Sequence, residues 1–197
     1  MNGDVAIYRL LSDYQFSTVL DIGSGSGKHD KIFIQHGKQV TAIDYGKSPY
    51  FIKGISIIGD FNSYQFDTAF DCVWCCHVLE HQLNINQFLC KIYAVLKDDG
   101  ILAITVPPLK HQIVGGHVSL WNGGLLLYNL ILAGFNCSEA KLVKEGYDIS
   151  IIVRKSQVDI DDLVYDAGDI KRISSFLPKS IQLNGDSFNG DLVSINW

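Results

Sequence analysis

Nowhere does the sequence hold the ~20 uninterrupted apolar residues of a membrane-spanning helix. The longest approach, Leu125–Ala133 (LLLYNLILA), has the length of a core helix. A secretory signal is also missing: in MNGDVAIYRLLSDYQF acidic residues come early and Arg9, Ser12 and Asp13 break the apolar run. No transmembrane segment and a cytoplasmic location are therefore expected. Basic residues are in deficit. Sixteen Lys and Arg stand against 21 Asp and Glu, a net charge of −5, and the close basic pairs are Lys171–Arg172 and Arg154–Lys155. Nucleic-acid binders carry a basic face for the phosphates, so no nucleic-acid partner is expected. Disulfide-framework spacing is absent too. The five cysteines, Cys72, Cys75, Cys76, Cys90 and Cys137, form an odd set with three of them crowded into FDCVWCCHV. Zinc ligands would have to converge from a loop or knuckle. Small soft side chains in a buried strand fit that run better, and no metal is expected. Internal repeats and low-complexity linkers are lacking as well.

What is present is apolar material, 47% of 197 residues, enough for one substantial core and too short for two ordinary domains. Short β-rich runs alternate with longer helical ones. Residues 5–16 read as an amphipathic helix, 17–23 as a strand ending in glycines, 28–36 as a helix closed by Gly37, and 40–44 as a second strand. Ile55–Ile58 reads as a third strand, Asp71–Cys76 as a fourth, 86–96 as a helix, and Ile101–Val106 as a fifth strand stopped by Pro107-Pro108. Strands apolar on both faces that alternate with helices predict an α/β fold, a mostly parallel sheet covered on both sides. Leu120–Ala133 reads as a helix packed on that sheet; a lipid-facing surface helix would carry the Lys and Arg that it lacks. Phe135–Val143 and Tyr147–Arg154, parted by Glu145-Gly146, read as an antiparallel hairpin, and the tail contains an acidic stretch from 159 to 169.

The strongest chemical signal is Asp21-Ile-Gly23-Ser24-Gly25-Ser-Gly27 at the end of the first strand. Alternate glycines let the backbone turn sharply and let a ligand press on main-chain N–H groups. The run is not the G-x-x-x-x-G-K-[ST] of a triphosphate loop, and Lys28 stands where a dinucleotide-binding turn needs its last glycine. A carboxylate at Asp21 suits a ligand carrying an ammonium or sulfonium better than a pyrophosphate. A nicotinamide-dependent oxidoreductase is disfavoured on the same grounds. Asp44, with Tyr45 beside it, ends the second strand 17 residues past Gly27. An acid there accepts hydrogen bonds from ribose hydroxyls in open α/β sheets. Gly59-Asp60-Phe61 follows the third strand, where Asp60 suits an adenine amino group and Phe61 the ring face. Each aspartate alone would be an ordinary solvated turn residue; three at successive strand ends, in step with one glycine turn, form a pattern.

VLDIGSGSG, VTAIDYG, IIGDF, FDCVWCCHVLEH, LKDDGILAITVPP and LAGF together resemble the ordered motifs of class I S-adenosylmethionine-dependent methyltransferases. The likeness is greatest to the small-molecule branch whose fourth strand runs into an LEH sequence. It covers about residues 17–154, leaving 155–197 as a C-terminal extension of a single domain. The resemblance implies a Rossmann-like seven-stranded sheet with its last strand antiparallel. It implies S-adenosylmethionine as cofactor and S-adenosylhomocysteine as product. The turn Gly23, Ser24, Gly25, Gly27 and Asp21 would hold the amino-acid end, Asp44 the ribose, Asp60 and Phe61 the adenine, and Cys76 and His77 the floor under the methionine part, with Tyr45 a further cofactor contact. The family often has Ser, Thr or Asn where Cys76 and His77 stand.

Methyl transfer to a hydroxyl needs an in-line nucleophile and a group to take its proton. Histidine suits that task near neutral pH. His77 and His81 follow the fourth strand, and His117 lies on the loop after the fifth, where loop residues often carry function. His81 reads equally as a helix-start residue bonding backbone, and Glu80 as structural. No Asn/Asp-Pro-Pro-aromatic sequence follows the fourth strand, which argues against methylation of a nucleic-acid base. The first strand begins after about seventeen residues, so no large N-terminal cap domain is expected. A small-molecule acceptor pocket would then form from residues 107–122, the first helix and the tail, with a homodimer as one way to complete it. Oxygen methylation of a sugar or of a nucleotide- or lipid-linked saccharide is the favoured expectation. A phenol, quinone or carboxylate acceptor, or a non-catalytic cofactor-binding partner subunit, are the alternatives.

Overall fold

The structure, a computed structural model, describes residues 2–160 and 162–197, so Asp161 of the acidic stretch lies outside the described residues. Seventeen residues in, the chain enters a sheet: β1 (Thr18–Ile22), β2 (Gln39–Asp44), β3 (Ile57–Ile58), β4 (Phe70–Cys76) and β5 (Leu96–Val106) run parallel to one another. A hairpin of β6 (Lys141–Glu145) and β7 (Asp148–Arg154) follows, and β7 inserts antiparallel beside β5. The sheet order is β3-β2-β1-β4-β5-β7-β6-β8, with the two-residue β8 (Ser194–Ile195) closing the edge against β6. This is the expected Rossmann-like α/β sheet with a terminal antiparallel strand, but it has eight strands where seven were expected. The tail supplies the extra one.

Helices cover both faces. On one, α1 (Asp4–Asp13) and α2 (Lys28–Gln35) pack Ala6, Ile7, Leu10 and Phe33 against Val19, Cys72, Trp74, Ala103 and Ile152. On the other, α3 (Ile85–Val95) and α4 (Gly123–Leu132) cover Leu20, Val73, Cys75, Leu102 and Ile151. The alternation Cys72/Trp74 against Val73/Cys75 on β4 is the period of two that a strand buried on both faces must show. Three of the five cysteines are buried and all are free, in keeping with the core reading. Asn84 and Asn122 cap α3 and α4 by accepting from the N–H of Gln87 and of Leu125, the second at 2.8 Å. α4 buries Leu126, Leu127, Leu130 and Ile131 as core. Among the described residues no helix is long and apolar enough to cross a membrane.

Two strand expectations shrink. The third is only Ile57–Ile58, because Ser56 is drawn aside to hydrogen-bond Ser24 at 2.6 Å. The sixth begins at Lys141 and not at Phe135: Asn136 accepts from the Ser138 N–H and the Ala140 N–H turns back to the Cys137 carbonyl, so 136–140 is a turn. The tail, with α5 (Asp169–Arg172), lies on the α4 face, where Ile173 and Leu177 are core residues and the Gly124 N–H donates to the Gly190 carbonyl at 2.9 Å. A Cβ on Gly124 would lie 2.6 Å from the Gly190 Cα, so that contact requires glycine.

Candidate functional site

The chain leaves β1 on one side to reach β2 and β3, then crosses over to β4 on the other, which opens a crevice at the carboxyl ends of β1 and β4. The register pairs Ile22 with Ile43 and with Cys75, bringing the ends of β1, β2 and β4 level. Into this crevice runs the glycine turn. Gly23, Gly25 and Gly27 all have left-handed backbones, φ 76, 53 and 69. At Gly23 space as well as φ demands glycine, since a Cβ there would sit 2.2 Å from Val78 Cγ2.

The three expected acids gather here, each in its own state. Asp21 is 1% exposed, and its Oδ2 is buried without a partner. Burial pushes its carboxyl well above the usual range, and the adjacent Asp30, hydrogen-bonded to it, and Asp44 push the same way. Asp44 receives the Gly25 N–H on one oxygen (2.9 Å) and the Gly46 N–H on the other (2.8 Å), so it stitches the turns after β1 and β2 together. Each of its oxygens keeps a second lone pair. Asp60 accepts from the Asn62 N–H at 2.8 Å, and the Tyr45 hydroxyl hydrogen-bonds to it. Ser24 is buried against Ser56, and the Ile52 N–H donates to the Gly25 carbonyl at 3.0 Å, so residues 50–56 lie against the turn.

Phe61 departs from expectation. It is 5% exposed and meets Phe88 edge-on at 5.2 Å within the core, leaving almost no ring face for a ligand. Apolar burial wins over exposure to a polar crevice. Cys76 lies with its Sγ 3.0 Å from where a Gly3 Cβ would stand, on the α1 side of β4, and burial pushes its thiol well up.

His77 takes a left-handed backbone (φ 56) and donates from Nε2 to Asp148 at 2.8 Å, with Glu80 3.3 Å from its Nδ1. Burial opposes its charge, but the two carboxylates outweigh burial and push its pKa up to about 9. With Nε2 engaged by Asp148 and its charged form favoured by two carboxylates, His77 is placed as an ion-pair partner more than as a base.

His81 and His117 do come together, with ring centroids 5.0 Å apart and edge to face. His81 ends the 3-10 turn Leu79–His81 and His117 lies on the loop after β5. That loop is closed at its neck by the Leu109 N–H on the Trp121 carbonyl (2.7 Å) and pinned at its middle by the Val118 N–H on the Glu80 carbonyl (2.9 Å). His117 is held below the ordinary histidine value by burial, with Glu80 opposing. A pocket of about 200 Å³ beside it is lined by Pro108, Ile113, Val114, His117, Leu120 and Tyr147, among others. A second, of about 370 Å³, shares Tyr147 and is lined by Asn2, Asp4, Glu145, Asp148 and Ser150. Residues of the first helix and of 107–122 line these pockets; the tail lines neither of the two.

Sequence reasoning missed Asp30, Tyr147 and Asp148. Asp30 had a signal, an acid three residues past Gly27 in the first turn of α2. Asp148 had none, since its partner His77 is 71 residues away.

Residues 20–104 match the family described as a methyltransferase domain. The malonyl-[acyl-carrier protein] O-methyltransferase of Salmonella typhimurium is 26% identical over 108 residues, 51% of this chain and 43% of that protein. The chain therefore spans less than half the length of that relative. Among solved structures, the 1,6-didemethyltoxoflavin-N1-methyltransferase of Burkholderia thailandensis, bound to S-adenosylhomocysteine, superimposes with a TM-score of 0.63 at 19% identity, covering 79% of this chain and 76% of the other. The N-methyltransferase NodS of Bradyrhizobium japonicum, also with S-adenosylhomocysteine, gives 0.61 at 17% identity, with 76% and 84% covered. Sequence match and sheet topology point the same way: residues 20–104 are similar to a methyltransferase domain, and the chain shares the fold of these solved methyltransferases.

Proposed function

We propose that the protein binds S-adenosylmethionine across the crevice at the ends of β1, β2 and β4 and transfers its methyl group to a hydroxyl of a small acceptor. The observation that carries this reading is Asp21, a buried acid at the glycine turn with one oxygen unpartnered. Such a group is costly unless a ligand satisfies it, and an ammonium or sulfonium supplies the hydrogen bond or charge that it lacks. Asp44 meets the ribose with its remaining lone pairs, and Tyr45 and Asp60 border the adenine. The two solved relatives that hold S-adenosylhomocysteine support the cofactor.

On the acceptor side, His117 stands at the pocket wall, with the His81 ring packed edge to face behind it. The larger pocket, with Asn2, Glu145, Asp148 and Ser150, suits the many hydroxyls of a saccharide. A second reading has its own observation. The pocket beside His117 is walled by Pro108, Ile113, Val114 and Leu120, which favours a phenol or quinol. Incubation with methyl-labelled cofactor and a panel of saccharides, phenols, quinols and amines separates the two. Label on oxygen is expected; label confined to nitrogen overturns the hydroxyl assignment. A melting temperature raised by S-adenosylhomocysteine and not by NAD is the matching binding test. Elevation by NAD alone overturns the cofactor.

A further inference from the structure

We propose that Glu80, His81 and His117 bind one divalent transition-metal ion of the Zn²⁺ or Mn²⁺ kind, with coordination positions left open toward the pocket under residues 107–122. One ligand atom from each of the three lies within 4.8 Å of the other two. An ion with bonds of about 2.1 Å sets its ligand atoms about 3–3.4 Å apart, a closure within reach of side-chain rotation.

Glu80 is the anchor. It is 0% exposed, and neither carboxylate oxygen has a hydrogen-bond partner. His77, whose charged form Glu80 favours, offsets part of this cost from the Oε1 side, and the rest of the buried carboxylate, Oε2 above all, is the acceptor that a cation would satisfy. His77 approaches Oε1 at 3.3 Å but spends its short hydrogen bond on Asp148. Oε2 stays unclaimed.

His81 is set as a ligand by its other nitrogen. Nδ1 lies 2.8 Å from the Gly116 carbonyl, which can only accept, so Nδ1 carries the proton and Nε2 presents its lone pair, 3.8 Å from Glu80 Oε1. A ring N–H given to a backbone carbonyl is how metal-binding histidines are usually oriented. The carbonyl stands there because Gly116 turns through φ 81, and a Cβ on it would lie 3.1 Å from His81 Nδ1. His117 comes from the same loop, one residue further, and Val118 then ties the loop to the Glu80 carbonyl. The frame is thus fixed by main-chain bonds without the ion. Two imidazoles and one carboxylate form a donor set for Zn²⁺ or Mn²⁺ more than for Ca²⁺, and three protein ligands leave room for an oxygen from outside.

Resting on the methyl-transfer reading, the ion gives that reading a chemical device. A hydroxyl bound at the open position releases its proton to solvent near neutral pH, because a coordinated oxygen is strongly acidified. The resulting oxyanion forms the new C–O bond as the C–S bond breaks, and the departing electron pair stays on sulfur. His81 and His117 then serve as ligands, not as bases.

The full chain, freed of metal with a chelator, is titrated with Zn²⁺ or Mn²⁺ by calorimetry. One ion per chain is expected, weakened at least tenfold in His117→Ala and in His81→Ala. Loading with Co²⁺ is expected to give visible absorption bands that His117→Ala loses. Because Glu80→Gln replaces a buried group, its melting curve accompanies its titration, while His117 on the loop provides the variant free of that concern. Absence of binding to the wild type, unchanged affinity in His117→Ala, or binding abolished by Cys90→Ser would each overturn the site. The same chain titrated with S-adenosylhomocysteine keeps the questions apart: a chain that binds the metal but fails to bind the nucleoside defeats methyl transfer and leaves the metal site standing.

Discussion

The two halves of the carboxyl edge are built by different means. Around β1 and β2 the parts are neighbours in sequence, and main-chain groups do the holding. Gly25 and Gly46 donate to the two oxygens of Asp44, and Asn62 donates to Asp60 two residues before it. Around β4 and β5 the parts come from distant segments. His77 meets Asp148, the Glu80 carbonyl meets Val118, and His81 meets Gly116. A site made of local turns is fixed as soon as its strands pair. A site made of side chains from three segments exists only once the hairpin and the loop have docked. The proposed cofactor end is therefore a property of the sheet, and the proposed acceptor end a property of what is laid on it.

The sharpest break of that contrast is Gly23→Ala. The added methyl meets Val78 at 2.2 Å and the backbone stays at φ 76, so a loss of about 2–4 kcal/mol is expected in urea unfolding. Val78→Ala in the same chain should recover only the steric part; full recovery would show that the left-handed backbone costs nothing. Asp44→Ala is next. It removes a main-chain stitch and the proposed ribose contact together, and S-adenosylhomocysteine should bind more weakly by about 1–3 kcal/mol. Calorimetry showing wild-type affinity would remove Asp44 from the binding edge. On the other half, Asp148→Ala takes away the partner of His77 and the acceptor of the Gly3 N–H (2.7 Å). A loss of about 1–2 kcal/mol in thermal unfolding is expected. No change would mean that the hairpin docks without this pair.

The smallest effect lies at the opposite edge and serves as a reference. Asp71, beside Lys97 and the Ser17 and Thr18 N–H groups, is held far below the usual carboxylate range, chiefly by the Lys97 ammonium. A depressed folded-state pKa adds stability that is complete above the unfolded value of about 3.9 and fades as the pH falls below it. Solvent screening keeps the gain below about 1 kcal/mol. Urea midpoints followed from pH 6 to 2 should fall more steeply for the wild type than for Asp71→Asn. Parallel curves would remove this carboxylate from the acid response.

Period and punctuation made the sheet legible. Runs such as VLDI and FDCVWCC read as buried strands, and the glycine turn with its three acids fell where the strand ends bring them together. What stayed illegible followed from contacts that no pattern encodes. Phe61 follows a turn exactly as a ring-stacking residue would, yet Phe66 and Phe88 claim it for the core. His77 looks like any histidine at a strand end until Asp148 and Glu80 close on it. Glu80 reads as structural from its place in LEH; its burial, with Oε2 unclaimed, emerges only when the loop folds over it. The eighth strand rests on two residues, too few for any alternation to announce it.

Both rims of the sheet end in very short strands, Ile57–Ile58 on one side and Ser194–Ile195 on the other. A foreign strand would find few rungs to lengthen on these two strands themselves. On the β3 side only Ile43 and Asp44 of β2 are paired, and the outer edge of Gln39–Ala42 carries no strand among the described residues. Growth by ribbon addition, the usual hazard of open β-structure, is thereby discouraged at β8 and left open beside β2.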